Sequence, residues 1–130
     1  MATAGPEARG SVADLLRQAR IVLDRAEASP EPAERFRLAH LSALRSAAAV
    51  LALRGRPAAR RRLVRVWVLL DKVAPEHAAW AAYFAAGASV RAAVDAGAVS
   101  AVSPRAADDQ LRAAAEFLVI VEGTVGMLAA

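Results

Sequence analysis

The sequence predicts an all-α protein, an up-and-down bundle of four to five helices, and three observations carry that expectation. Apolar residues recur at three- and four-residue spacing in every long segment. No segment alternates apolar and polar residues with the period of two that a half-buried strand shows. The breaks between periodic segments are short and hold helix start and stop residues, which makes successive helices antiparallel neighbours. At 130 residues the chain is one domain, long enough to bury a core without metal or disulfide support.

Val12, Leu15, Leu16, Ala19, Val22, Leu23 and Ala26 form the apolar stripe of a first helix. Ser11 is its expected N-cap, and Asp14 sits in the first turn, where the helix dipole favours a carboxylate. Residues 1–10, "MATAGPEARG", are small, polar and broken by Pro6 and Gly10, so they read as a disordered tail without the apolar core of a signal peptide. "SPEP" stops the helix near Ala28, and Ser29 with Pro30 just inside starts the next one. The second helix runs from about Pro32 to Arg54 and buries Phe36, Ala39, Ala43, Leu44, Ala47, Val50 and Leu51, with Gly55 as its C-terminal cap. A third, Ala58 to Val73, buries Leu63, Val66, Trp67 and Leu70. A fourth begins at Pro75, carries Trp80, Ala81, Phe84 and Ala88, and ends near Ala96 before Gly97. The fifth starts at Ser103 and Pro104 and turns Leu111, Ala114, Leu118 and Val121 inward. It frays around Gly123 and Gly126, so the bundle spans 11–122 and residues 123–130 form a frayed end.

The chain has no cysteine, which excludes disulfides, thiolate nucleophiles and zinc–thiolate sites. Two histidines leave little for a histidine-based metal centre, and neither a metal nor a cofactor is expected. The charge-free run from His77 to Val90 is shorter than a bilayer span, so no membrane segment is expected and the protein reads as soluble and cytoplasmic. A single lysine, no asparagine and an excess of alanine, valine and arginine match GC-rich coding.

The net charge is +4, and its distribution is uneven. From Arg35 to Leu70 there are nine arginines and no acid, whereas the rest of the chain holds eight bases against thirteen acids. Such asymmetry suits a polyanion-facing side or an acidic partner, or a solvated surface whose arginine stems cover apolar neighbours. The densest part is the joint between the second and third helices, with Arg54, Arg56, Arg60, Arg61, Arg62 and Arg65. These six are the candidate nucleic-acid-binding residues. With few aromatics nearby to stack on bases, the expected contact is to the phosphate backbone.

"ERFRLAHLSALR" places Arg35 and His40 at an Arg-x4-His spacing. In metal-independent RNA cleavage an imidazole shuttles a proton and a guanidinium stabilises the transferring phosphate. Five residues along a helix turn the side chain by about 140°, so the two diverge unless a kink or a second subunit completes the site. His40 also borders the apolar stripe, which fits a packed, hydrogen-bonded histidine. Asp108 and Asp109 stand at a helix start, where they compensate the dipole, and His77 reads as a first-turn polar residue.

The segments "PAERFRLAHLSALRSAAAVLALR", "WVLLDKVAPEHAAWAAYFAAGA" and "VSPRAADDQLRAAAEFLVIVE" behind an N-terminal helix resemble the HEPN superfamily, and more narrowly the small stand-alone HEPN proteins of actinobacteria. The resemblance spans residues 11–122. It implies a helical bundle that often dimerises and that serves as a ribonuclease toxin, an RNA-binding module or a partner of nucleotidyltransferases. Catalytic members carry Arg-x4–6-His near the start of the last core helix. Here that helix has Arg105 and Arg112 but no histidine. The reading is therefore a non-catalytic HEPN-like domain that binds RNA or nucleotide through its arginine-rich face. The alternatives are a metal-independent ribonuclease using Arg35 and His40, or an interaction bundle that docks an acidic protein partner. A homodimer is expected, through the small-residue face of helix four around Ala81, Ala85 and Gly87.

Overall fold

The second helix is the axis of the fold, and its composition explains why. The computed structural model describes residues 6–55 and 65–129, with side chains over 11–55 and 65–128. Five helices follow one another: α1 (Pro6–Ala28), α2 (Pro32–Leu53), α3 (Val66–Val73), α4 (Ala78–Asp95) and α5 (Pro104–Ala129). One-turn 3₁₀ segments at Pro75–His77 and Val99–Ala101 lead into α4 and α5, and no strand occurs among the described residues. α2 packs against α1, α3, α4 and α5. Its run of Ala39, Ala43, Ala47, Ala48 and Ala49 is buried, and side chains this small let neighbouring backbones approach from several sides. Ser42 adds a polar tie: its buried hydroxyl donates to the main-chain oxygen of Ala19 on α1 at 2.8 Å.

α2 is also long and apolar enough to cross a membrane, contrary to the expectation that no segment qualifies. In the fold, however, 67% of its apolar window is buried inside the bundle. Its hydrophobicity is consumed by the core.

The helix ends follow local chemistry with some shifts. α2 is entered through Glu31 and Pro32, not Ser29 and Pro30: Pro32 supplies the fixed φ of the first turn, and the Arg35 amide bonds the Glu31 oxygen at 2.9 Å. Gly55 takes φ +72° just past the end, the left-handed conformation for which a C-terminal glycine was expected. Gly97, at φ +97°, closes α4 in the same way. Ser103 caps α5, its Oγ accepting from the Ala106 amide at 3.0 Å. α1 begins at Pro6, so Ser11 lies inside the helix and does not cap it. α5 continues through Gly123 and Gly126 to Ala129. Each interior glycine costs only about 1 kcal/mol against alanine, and an established helix adds a hydrogen bond per residue. Val125 still packs on the core beyond the first of them. The expected helix from Ala58 is described from Val66 onward, and its Leu63 lies outside the described residues.

The main core gathers Leu23, Leu51, Leu70, Phe84, Phe117 and Leu118 from all five helices. Phe84 is its aromatic centre, with ring centroids at 5.0 Å from Trp67, 5.7 Å from Phe117 and 6.1 Å from Trp80. A smaller cluster of Ala33, Phe36, Val94, Val102 and Ala107 closes the end where α2 begins and α4 finishes.

Candidate functional site

Arg35 and His40 share α2 but serve different neighbours. The Arg35 guanidinium reaches α5, pairing with Asp108 at 2.5 Å, and folds back on the preceding loop. There its Nε donates to the Ser29 oxygen at 3.1 Å and its Nη2 to the Pro30 oxygen at 3.3 Å. His40 is buried, 2% exposed, among the rings of Phe36, Trp67 and Phe84. Its Nε2 donates to the main-chain oxygen of Phe84 at 3.1 Å. Burial holds its pKa down at about 4, the Phe84 hydrogen bond opposing and the positive charge of Arg91 adding to the effect. The fold thus leaves the two side chains in separate environments, as the helical turn between them required.

Asp108 and Asp109, at the start of α5, are likewise committed to partners. Asp108 receives Arg35, and Asp109 receives Arg112 at 3.2 Å one turn on. His77 lies in the turn that opens at Pro75, where a first-turn polar residue was expected. It is buried, its ring edge-on to Phe117 at 5.6 Å, and burial lowers its pKa.

Of the six arginines of the joint, Arg56, Arg60, Arg61 and Arg62 lie outside the described residues. Arg54 is engaged inside the protein: it donates to the Val73 oxygen at 3.0 Å and pairs with Glu76 through both terminal nitrogens. The Arg54 hydrogen bonds hold the Glu76 carboxyl at about 2, well below the usual range. This pair fastens the end of α2 to the 3₁₀ segment before α4. Arg65, at the start of α3, is exposed.

Two of the three residues on the helix-four face expected to form a dimer meet neighbours within the chain. Ala81 is buried in the core. Gly87 faces Phe36 and Gln110, and a Cβ built there would stand 3.3 Å from the Phe36 ring. Ala85 is exposed.

A cavity of about 250 Å³ opens between α2, α3 and α4, walled by His40, Leu44, Trp67, Ala88, Arg91 and Asp95. His40 Nδ1, Trp67 Nε1 and Arg91 Nε are all buried without a hydrogen-bond partner among the described residues. Arg91 Nε lies 3.6 Å from the Asp95 carboxylate. Burial lowers the Arg91 pKa, Asp95 opposes, and the nearby positive charges of Arg37 and Arg45 add to the lowering. Arg91 and Asp95 sit one turn apart in an alanine-rich helix, and sequence reasoning passed over both. An Arg-x3-Asp pair is ordinary on a helix surface, and nothing local marks that Trp67 and His40 close over it. Among the described residues no group of three His, Asp or Glu side chains could hold a metal ion.

The family model for SAV_6107-like HEPN domains matches residues 26–122, from the end of α1 into α5. No curated protein and no solved structure matches the chain.

Proposed function

The chain belongs to the HEPN superfamily, and from that premise we propose that it is a non-catalytic member that binds RNA or nucleotide through the arginine-rich joint between α2 and α3. The observation that carries the non-catalytic part is the burial of His40. An imidazole 2% exposed, bonded to a main-chain carbonyl and held neutral, cannot reach a ribose hydroxyl or a leaving oxygen. Arg35, tied to Asp108 and two carbonyls, is equally occupied. The binding part rests on charge: of the nine arginines between Arg35 and Leu70, a stretch without an acid, Arg35, Arg37 and Arg54 are paired with carboxylates, and the rest supply the positive field offered to phosphates. Because Arg54 is paired with Glu76, the contact falls to Arg56, Arg60, Arg61, Arg62 and Arg65. A module of this kind works in the cytoplasm, where RNA is at hand. Fluorescence anisotropy with a labelled single-stranded RNA, repeated over a salt series, tests the reading. Salt-sensitive binding without cleavage in EDTA is the expected result. Cleavage would restore the ribonuclease reading, and no binding would leave a basic patch for an acidic protein partner.

A homodimer remains part of the proposal, with a different surface from that of helix four. Val119, Ile120, Met127 and Leu128 are exposed along α5, and apolar residues so disposed are the better candidates for a symmetric contact. Sedimentation of the chain with and without Ile120→Glu is the check, a dimer lost in the variant being expected.

A further inference from the structure

We propose that the outer face of α5 is a crossing site for α5 of a second copy of the chain, antiparallel and centred on Gly123, an inference that rests on the homodimer proposed above. α5 carries Gly123 and Gly126 through regular helix. Glycine in a helix interior destabilises it against alanine, so each position calls for a reason. Three other glycines show theirs. Gly55 and Gly97 take positive φ, and Gly87 makes room for the Phe36 ring, 3.3 Å from where a Cβ would stand. Neither Gly123 nor Gly126 has positive φ, and a Cβ at either would meet nothing within 4 Å. Nothing among the described residues uses their lack of a side chain.

The neighbours of Gly123 supply the use. By helical rotation, Val119, Ile120, Gly123, Gly126 and Met127 fall on one face about 120° wide, with Gly123 at its centre. Val119, Ile120 and Met127 are exposed there. Apolar side chains around a glycine form a hole into which another helix can sink, and the missing side chain lets the two backbones approach. The face is also complementary to itself. In an antiparallel twofold pair that crosses at Gly123, Val119 lies against the second copy's Gly126, Ile120 against its Met127, and Gly123 against Gly123. Every residue of the face then meets another residue of the same face. Charge sets the direction. Between Phe117 and Ala129 the only charged residue is Glu122, already paired with Arg20 on α1. Arg112 and Glu116 are exposed on the same face, one and two turns earlier. A parallel pair would stack Glu116 on Glu116 and Arg112 on Arg112, whereas the antiparallel pair carries them to opposite sides of the crossing.

Sedimentation velocity of the full chain over a concentration series reads the dimer, with the melting temperature as a second measurement. Gly123→Leu should raise the dimer Kd at least about tenfold. Its melting temperature, taken where the parent is monomeric, should stay or rise. The new side chain starts where nothing stands within 4 Å, and leucine suits a helix better than glycine. The chain has no cysteine, so Ile120→Cys and Met127→Cys each carry a single thiol. A mixture of the two, oxidised with diamide, should crosslink more than either alone, because the register sets one opposite the other within disulfide reach. A dimer that Ile120→Glu breaks but Gly123→Leu leaves intact overturns the crossing and spares the homodimer. Crosslinking no greater in the mixture than in the single variants overturns the antiparallel register. A parent that sediments as a monomer throughout overturns the crossing and the homodimer together.

Discussion

His40 Nε2 donates to the main-chain oxygen of Phe84 across 3.1 Å, joining the middle of α2 to the middle of α4 through a histidine closed off from solvent. The bond fixes the tautomer, seats the imidazole among three aromatic rings and leaves Nδ1 buried without a hydrogen-bond partner among the described residues. A residue that the sequence offers as half of a nuclease pair is in the fold a core residue.

His40→Ala should therefore lower stability by roughly 2–4 kcal/mol, through a lost ring in a packed core and an unpaired partner. Affinity for RNA should stay the same. Denaturant melts of both proteins, with anisotropy at matched folded fraction, check this. A variant with an unchanged melt and a lost EDTA-resistant nuclease activity would reverse the assignment.

The depressed pKa of His40 makes stability depend on pH, and the sign follows from linkage. The folded-state value of about 4 lies below the ordinary 6.5, so the unfolded chain takes up the proton first. The contribution is whole above pH 6.5 and is lost as the pH falls towards 4, amounting to roughly 3 kcal/mol at full extent. His77, also depressed by burial, acts in the same direction. His40→Gln retains an N–H for the Phe84 oxygen and cannot titrate, so its melts between pH 7 and 4 should be distinctly flatter than those of the parent.

Arg35 and Asp108 couple the start of α2 to the start of α5. Asp108 is 55% exposed, so water screens the pair, and a double-mutant cycle with alanine at both positions should return about 0.5–1 kcal/mol. Arg35→Ala alone should cost more than Asp108→Ala, because Arg35 also satisfies the Ser29 and Pro30 carbonyls. Equal costs would mean that those loop contacts contribute nothing.

Glu76 reports on the clasp between α2 and the segment before α4. A carbon-detected NMR titration should find its carboxyl near 2 in the parent and back in the ordinary range in Arg54→Gln. Because the folded-state value is depressed, the clasp is intact above pH 4.5 and loosens as the pH falls towards 2. A Glu76 titration that ignores the arginine would show that the pair does not persist in solution.

Replacing Arg60, Arg61 and Arg62 with glutamine should weaken RNA binding about tenfold or more and reduce the salt dependence by up to about three phosphate contacts. Arg54→Gln should change affinity little while lowering the melting temperature, because its guanidinium is already occupied by Glu76 and Val73. If the two variants weaken binding alike, Arg54 faces the nucleic acid after all.

The all-α architecture, most helix ends and much of the core were legible because they depend on local patterns. Spacing of apolar residues set the buried faces of α2 and α5, Gly55 and Gly97 stopped helices through their freedom at positive φ, and Ser103 began one through its hydroxyl. The five-residue turn between Arg35 and His40 was enough to separate them. The start of α2 at Pro32 was legible, but its cap was placed at Ser29 and not at Glu31 because "SPEP" offers two prolines, and the choice between them depends on how the preceding loop packs. The start of α1 and the passage of α5 through two glycines were missed because local breakers weigh little once a helix is long. Which side chains meet across helices was not legible at all. Arg54 finds Glu76 twenty-two residues away, Gly87 faces Phe36 of α2, and His40, Trp67 and Arg91 converge on one cavity from three helices. Such meetings depend on the crossing of helices in space, and pairs that far apart leave no period in the chain for a sequence to display.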